Sequence, residues 1–213
     1  MKNELLVWDV PIRMTEIASK NKLPLSSSGE IGISERFNPK NTHPNFDFPW
    51  VRLSATKNIQ KLPQHVFICL KGHKQVNFDY VNYGNFFIVS EALYKFLKIN
   101  GFDYEDDKCN AFIVDTKGNQ ITKEVFYFLR VFSWQIKSEL VQIKYSNNGE
   151  PLSLVSCDEV GNKKIFMSNI EGLRNLLLIN ADLKNYIETN FRNTMLFDIK
   201  TWYELNKSVY FWE

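Results

Sequence analysis

Along most of this chain the apolar residues alternate with polar ones in short runs broken by Pro, Gly and Asn. Only a few stretches carry the three-to-four spacing of a helix. Residues 5–10 and 31–37 predict strands, the first ended by Pro11, and residues 14–22 predict a short helix. Residues 50–55 and 65–71 predict two more strands. Around the second, His65, Phe67, Cys69, Lys71 and His73 share one face and Val66, Ile68 and Leu70 the other, as in a half-buried sheet. Phe86–Val89 predict a buried strand that feeds an amphipathic helix. Ser90 stands at the N-cap, where its hydroxyl can accept from an otherwise orphan N–H. Ala92, Leu93, Phe96 and Leu97 form the apolar stripe, Tyr94, Lys95 and Lys98 the outer side, and Gly101 the C-terminal stop.

An acidic loop follows, and residues 111–115 predict the next strand. After a turn at 117–119, the aromatic run 124–134 predicts a strand at the centre of a sheet. Residues 147–151 are a turn, and strands at 152–156 and 164–167 are expected around a Gly161-Asn162 turn. Ser168-Asn-Ile-Glu171 matches a capping box whose helix would turn Ile170, Leu173, Leu176 and Leu177 inward. That segment echoes the strand, serine and helix at 87–97, which the generic capped junction explains. A helix at 182–191, presenting Leu183, Tyr186 and Ile187, and strands at 195–199 and 209–212 complete the pattern. The predicted fold class is α+β: mostly antiparallel twisted sheets with two or three packed amphipathic helices. Pro39, Pro44 and Pro49 mark a boundary candidate. It would separate an N-terminal strand and loop section, 1–49, either its own lobe or part of the same domain, from an α+β core domain, 50–213.

With 213 residues and 44% hydrophobic content, the chain can bury a sizeable core. The net charge of +2 and the lack of a dense Lys/Arg run argue against a nucleic-acid partner, and the chain is not acidic enough to mimic nucleic acid. The N-terminus lacks the long apolar region of a signal peptide, and the apolar runs fall far short of a membrane span. With three cysteines and no CxxC, this predicts a cytoplasmic protein with reduced thiols and no membrane partner.

Catalytic signatures are missing: there is no phosphate loop, nucleophile elbow or His-Glu-x-x-His. His65 and His73 on one strand would stand about 27 Å apart, too far to share a metal. Cys69 and Cys109, flanked by strand residues, are expected as buried inert thiols. No catalytic, cofactor-binding or metal residue is therefore expected, and the chain is expected not to be an enzyme. The acidic residues Asp103, Glu105, Asp106 and Asp107 lack the spacing of a calcium loop and suit a basic partner better. Trp50 after the proline loop and Trp134 beside Gln135 are rigid amphipathic anchors of the kind interfaces use. These seven positions are the candidate partner-binding residues.

The stretch Phe86–Gly101, FFIVSEALYKFLKING, with Val89-Ser90-Glu91-Ala92-Leu93 at the strand-to-helix junction and the aromatic strand Phe126–Trp134 after it, resembles a known group. It is similar to the bacterial immunity proteins of polymorphic toxin systems, in the formerly uncharacterised group that includes a myxobacterial immunity protein. The layout matches over residues 60–190 and in detail over 85–135. The resemblance implies an α+β protein that binds and neutralises a cognate toxin protein in the producing cell, without cofactor. The alternatives are a small hydrolase-like enzyme using Asp or Glu with His65 or Cys69, or an adaptor that binds a ligand or partner.

Overall fold

The computed structural model describes residues 4–9, 31–38, 61–83, 86–104, 106–132, 135–136, 141–157, 161–168, 170, 173 and 175–210. The helix expected at 14–22, the strand expected at 50–55 and the prolines of the boundary candidate lie outside these residues. Among the described residues there are twelve strands: β1 (Leu5–Trp8), β2 (Ile31–Ser34), β3 (His65–Leu70), β4 (Tyr80–Tyr83), β5 (Phe86–Ser90), β6 (Asp106–Val114), β7 (Phe126–Val131), β8 (Val141–Tyr145), β9 (Pro151–Ser156), β10 (Ile165–Met167), β11 (Leu177–Asn180) and β12 (Leu196–Phe197). Three helices accompany them: α1 (Glu91–Ile99), α2 (Lys184–Asn190), entered through the 3-10 turn Ala181–Leu183, and α3 (Ile199–Tyr210). The fold is α+β, with mostly antiparallel, curled sheets, as the alternation predicts.

Six strands form one sheet in the order β2-β3-β6-β7-β5-β4, antiparallel throughout except for the parallel pair β3–β6. Four form a second, β10-β11-β1-β12, and β8–β9 is a hairpin. The aromatic run does take a central place, since β7 is bonded on both sides, to β6 and β5. β1 pairs with β11 and β12, and β2 with β3, so both are stitched to strands from later in the chain.

The six-stranded sheet is buried on both faces. In β5 and β7, Phe87, Val89, Leu129 and Val131 enter one core, which they share with Leu93 and Leu97 of α1, Trp8, Leu177–Ile179 and Trp202. The alternate residues Phe86, Ile88, Phe126 and Phe128 enter the other, with Ile31, Val66, Ile68, Leu70 and Ile113. The half-buried pattern expected of His65–Lys71 is thus present, with the even-numbered residues inside.

Local chemistry explains α1. Leu93 N donates to the Ser90 hydroxyl at 3.2 Å, the N-cap bond expected of Ser90. At the other end Gly101 adopts φ +95°, and a Cβ there would lie 2.8 Å from Lys163 Cα, so only glycine fits. The buried stripe is narrower than predicted: Leu93 and Leu97 are buried, Phe96 is half-buried and Ala92 is exposed.

Four expectations are corrected. The strand after α1 begins at Asp106 rather than 111, because antiparallel pairing with β7 extends back to Val131. β9 and β10 do not form a hairpin: β9 pairs with β8 and β10 with β11, so the Gly161 turn carries the chain from one sheet to another. The capping box starts no helix that includes Leu177. Ser168 Oγ instead accepts from Ile170 N at 3.0 Å in a local turn, and Leu177–Asn180 is a strand between β10 and β1. Four consecutive buried residues suit an interior strand covered on both faces. Finally, the strand expected at 209–212 gives way to α3, which runs to Tyr210. Asp198 caps α3 by accepting from Thr201 N at 2.8 Å, and Ile199 and Trp202 bury an i, i+3 pair.

Candidate partner-binding surface

Helix α1 lies over β5 and β7, so it covers only half of one face of the six-stranded sheet. On the other half, the parallel register sets His65 beside Asn110, Phe67 beside Phe112 and Cys69 beside Val114. Their neighbours Val66, Ile68, Ala111 and Ile113 point into the opposite core, which obliges these side chains to point outward. Phe112 is 36% exposed, Lys108 and Asn110 are exposed, and His65 and Phe67 are half-buried.

The rings on this face touch one another. His65 and Phe67 are 5.5 Å apart between centroids, His65 and Phe112 5.4 Å, and Phe67 and Phe112 5.7 Å. Phe37 closes one end, 6.3 Å from Phe67. It lies against Gly118, where a Cβ would come within 2.7 Å of its ring. That glycine sits at φ +89° in the predicted turn, which Asp115 braces by accepting from Lys117 N at 2.8 Å and from Asn119 N at 2.9 Å.

Toward α1 the surface becomes cationic. The Lys108 ammonium stands 3.8 Å from the Tyr94 ring centroid and 4.5 Å from that of Tyr127. Lys98 approaches Tyr94 at 5.7 Å and donates to Tyr104 O at 3.1 Å. The Tyr127 hydroxyl donates to Glu91 Oε1 at 3.1 Å, and Lys95 pairs with Glu91 at 3.1 Å. The hydrogen bonds from Lys95 and then Tyr127 hold the Glu91 carboxyl below its ordinary value.

The acidic residues are dispersed rather than gathered into one patch. Asp103 is exposed and pairs with Lys163 at 2.7 Å. Asp107 lies within β6, directly across from Arg130 of β7, and forms an ion pair with that buried guanidinium. Asp106 opens β6 opposite Val131. Gln135 is half-buried in a single turn after β7, its N–H donating to Phe132 O at 3.0 Å. Trp50, Glu105 and Trp134 lie outside the described residues. Sequence reasoning overlooked Lys108 and Phe112. The available signal was Lys108, Asn110 and Phe112 at every second position, a phenylalanine on an otherwise polar strand face.

The thiols are placed as structural groups. Burial and then the Asp115 charge raise the Cys69 pKa, and its Sγ donates to Asp115 O at 3.6 Å. Burial foremost, with Asp107, pushes the Cys109 thiol up to about 12. A protonated thiol is a poor nucleophile. A cleft of about 300 Å³ lined by Leu70, Gly72, His73, Lys74, Asp115, Thr116 and Ile121 opens at the end of β3. Its one carboxylate, Asp115, is occupied by the turn it braces. Among the described residues no group of three or more His, Cys, Asp or Glu side chains could hold a metal ion, and no helix is long and apolar enough to cross a membrane.

Fold and surface together describe an α+β protein with an aromatic and cationic sheet face beside a capped helix. Comparison with known families says which kind it is. The family described as Immunity protein 43 matches residues 16–213, and the chain belongs to that family of bacterial toxin immunity proteins. The resemblance read from residues 85–135 is thereby borne out. No curated protein matches the chain.

Proposed function

We propose that this chain is a non-catalytic immunity protein that binds and neutralises a cognate toxin protein in the cytoplasm of the cell that makes the toxin. The observation that carries this is membership of the immunity-protein family. The state of the thiols supports the non-catalytic part, since Cys69 and Cys109 are both held in the protonated form. The partner-binding set proposed for the rim of the contact is Trp50, Asp103, Glu105, Asp106, Asp107, Trp134 and Gln135. Of these, Asp103 is exposed at the foot of β6, where its pairing with Lys163 leaves the carboxylate accessible to a partner's basic group.

Co-expression tests the reading. The chain should protect cells from the toxin encoded beside its gene and should co-purify with it as a stable complex. A toxin that keeps its full potency in the presence of excess chain would sink the proposal. Cys69→Ser and Cys109→Ala should protect as well as the natural chain; loss of protection by folded variants would point to a catalytic thiol instead.

A further inference from the structure

The open half of the six-stranded sheet makes a more definite prediction, which rests on the immunity reading. We infer that the Phe67–Phe112 ring pair and Lys108 form the centre of the toxin-binding surface, and that they receive an acidic, apolar-centred surface of the toxin.

Anatomy comes first. Interfaces are anchored by a few rigid aromatic or cationic residues ringed by polar ones. His65, Phe67 and Phe112 form such an anchor: three rings in mutual contact on two strands locked in parallel register. Because β3 and β6 are held from behind by buried Val66, Ile68, Ala111 and Ile113, docking here orders little backbone. Lys108 is also set in advance, its ammonium held against the Tyr94 and Tyr127 rings.

Charge decides the occupant. The Glu91 carboxylate stands among three ammonium groups, Lys95, Lys98 and Lys108, all within reach of Glu91 or of the Tyr94 ring. The border of the ring cluster is therefore net positive. A partner with carboxylates there is attracted, and a partner with a basic cleft is repelled. The same argument disfavours a second copy of the chain. A two-fold contact centred on Phe112 would bring Lys108 and Lys98 toward their own counterparts. It also separates this mode of neutralisation from one in which an acidic inhibitor plugs a nucleic-acid cleft.

The experiment uses the full chain and the toxin encoded beside its gene. Phe112→Asp and Lys108→Glu are both substitutions of exposed side chains, and their thermal melts should match the natural chain. Each should weaken toxin affinity by roughly 30-fold or more. Lys108→Glu should also slow association and flatten its salt dependence. A carboxylate-to-lysine change on the toxin that restores affinity to Lys108→Glu alone would identify the paired group. Folded variants that both bind within about threefold of the natural chain overturn the surface while leaving the immunity reading intact. A natural chain that binds the toxin without silencing it overturns the immunity reading, and the two variants still report on the surface. If light scattering shows a dimer that Phe112→Asp dissociates with toxin affinity unchanged, a second copy is the occupant and the inference is wrong.

Discussion

Asp79 joins three parts of the structure through one buried carboxylate. Arg192 reaches it with its backbone N at 2.8 Å, Nε at 3.0 Å and Nη2 at 2.9 Å, and continues to Glu124. Burial opposes ionisation of Asp79, but the bonds from Arg192 and Ser90 and the Arg192 charge outweigh it, holding the carboxyl below its ordinary 3.8. A folded pKa below the unfolded one means the stabilisation is complete above 3.8 and is lost as pH falls through the folded value. Asp79→Asn should therefore cost about 2 kcal/mol near neutrality, and the gap between variant and natural chain should close in acid. Urea midpoints measured near neutrality and in acid check this; a gap that stays constant would refute it. The thiols offer a second test at this scale. With Cys109 pushed up to about 12, a disulfide reagent at about pH 8 should reach it only after unfolding.

Helix α1 depends on its two ends. Ser90→Ala removes the bond to Leu93 N and the hydroxyl beside Asp79, and should destabilise the chain by about 1–2 kcal/mol in urea unfolding. Gly101→Ala places a side chain at φ +95° and within 2.8 Å of Lys163 Cα. It should cost about 2 kcal/mol or more, since strain and overlap add. Both ends were visible in the chain because a serine cap and a glycine stop act within a few residues. The segment after Ser168 shows where local signals mislead. Its serine does form a local hydrogen bond, but the four apolar residues that follow satisfy strand and helix patterns alike, and pairing with β1 and β10 decides for the strand.

One core holds the two sheets together. Leu129 of the six-stranded sheet and Leu178 of the four-stranded sheet are both fully buried in the cluster that contains Trp8 and Trp202. Trp202 Nε1 donates to Asp9 at 3.0 Å, fastening α3 against the end of β1. Leu129→Ala and Leu178→Ala should each cost about 3 kcal/mol. Each should lower one common transition in which tryptophan signal and backbone circular dichroism fall together. Two separable transitions, with each variant shifting only one, would show that the sheets unfold independently.

Short-range patterning was enough for the α+β class, the strands at β3, β5 and β7, the cap and stop of α1 and the turns at Gly118 and Gly149, because each follows from periodicity or a single backbone requirement. The buried, inert character of Cys109 followed as well, from its place in a strand. The partner-binding surface did not. Phe67 and Phe112 are 45 residues apart, and only the parallel pairing of β3 with β6 puts their rings in contact. Likewise, Lys163 and Arg130 come from distant segments to pair with Asp103 and Asp107, so an acidic run in the chain is no acidic patch in the fold. Spacing along a strand tells which side chains share a face. Which strands stand side by side, and what is left uncovered, is settled by burial of the whole core.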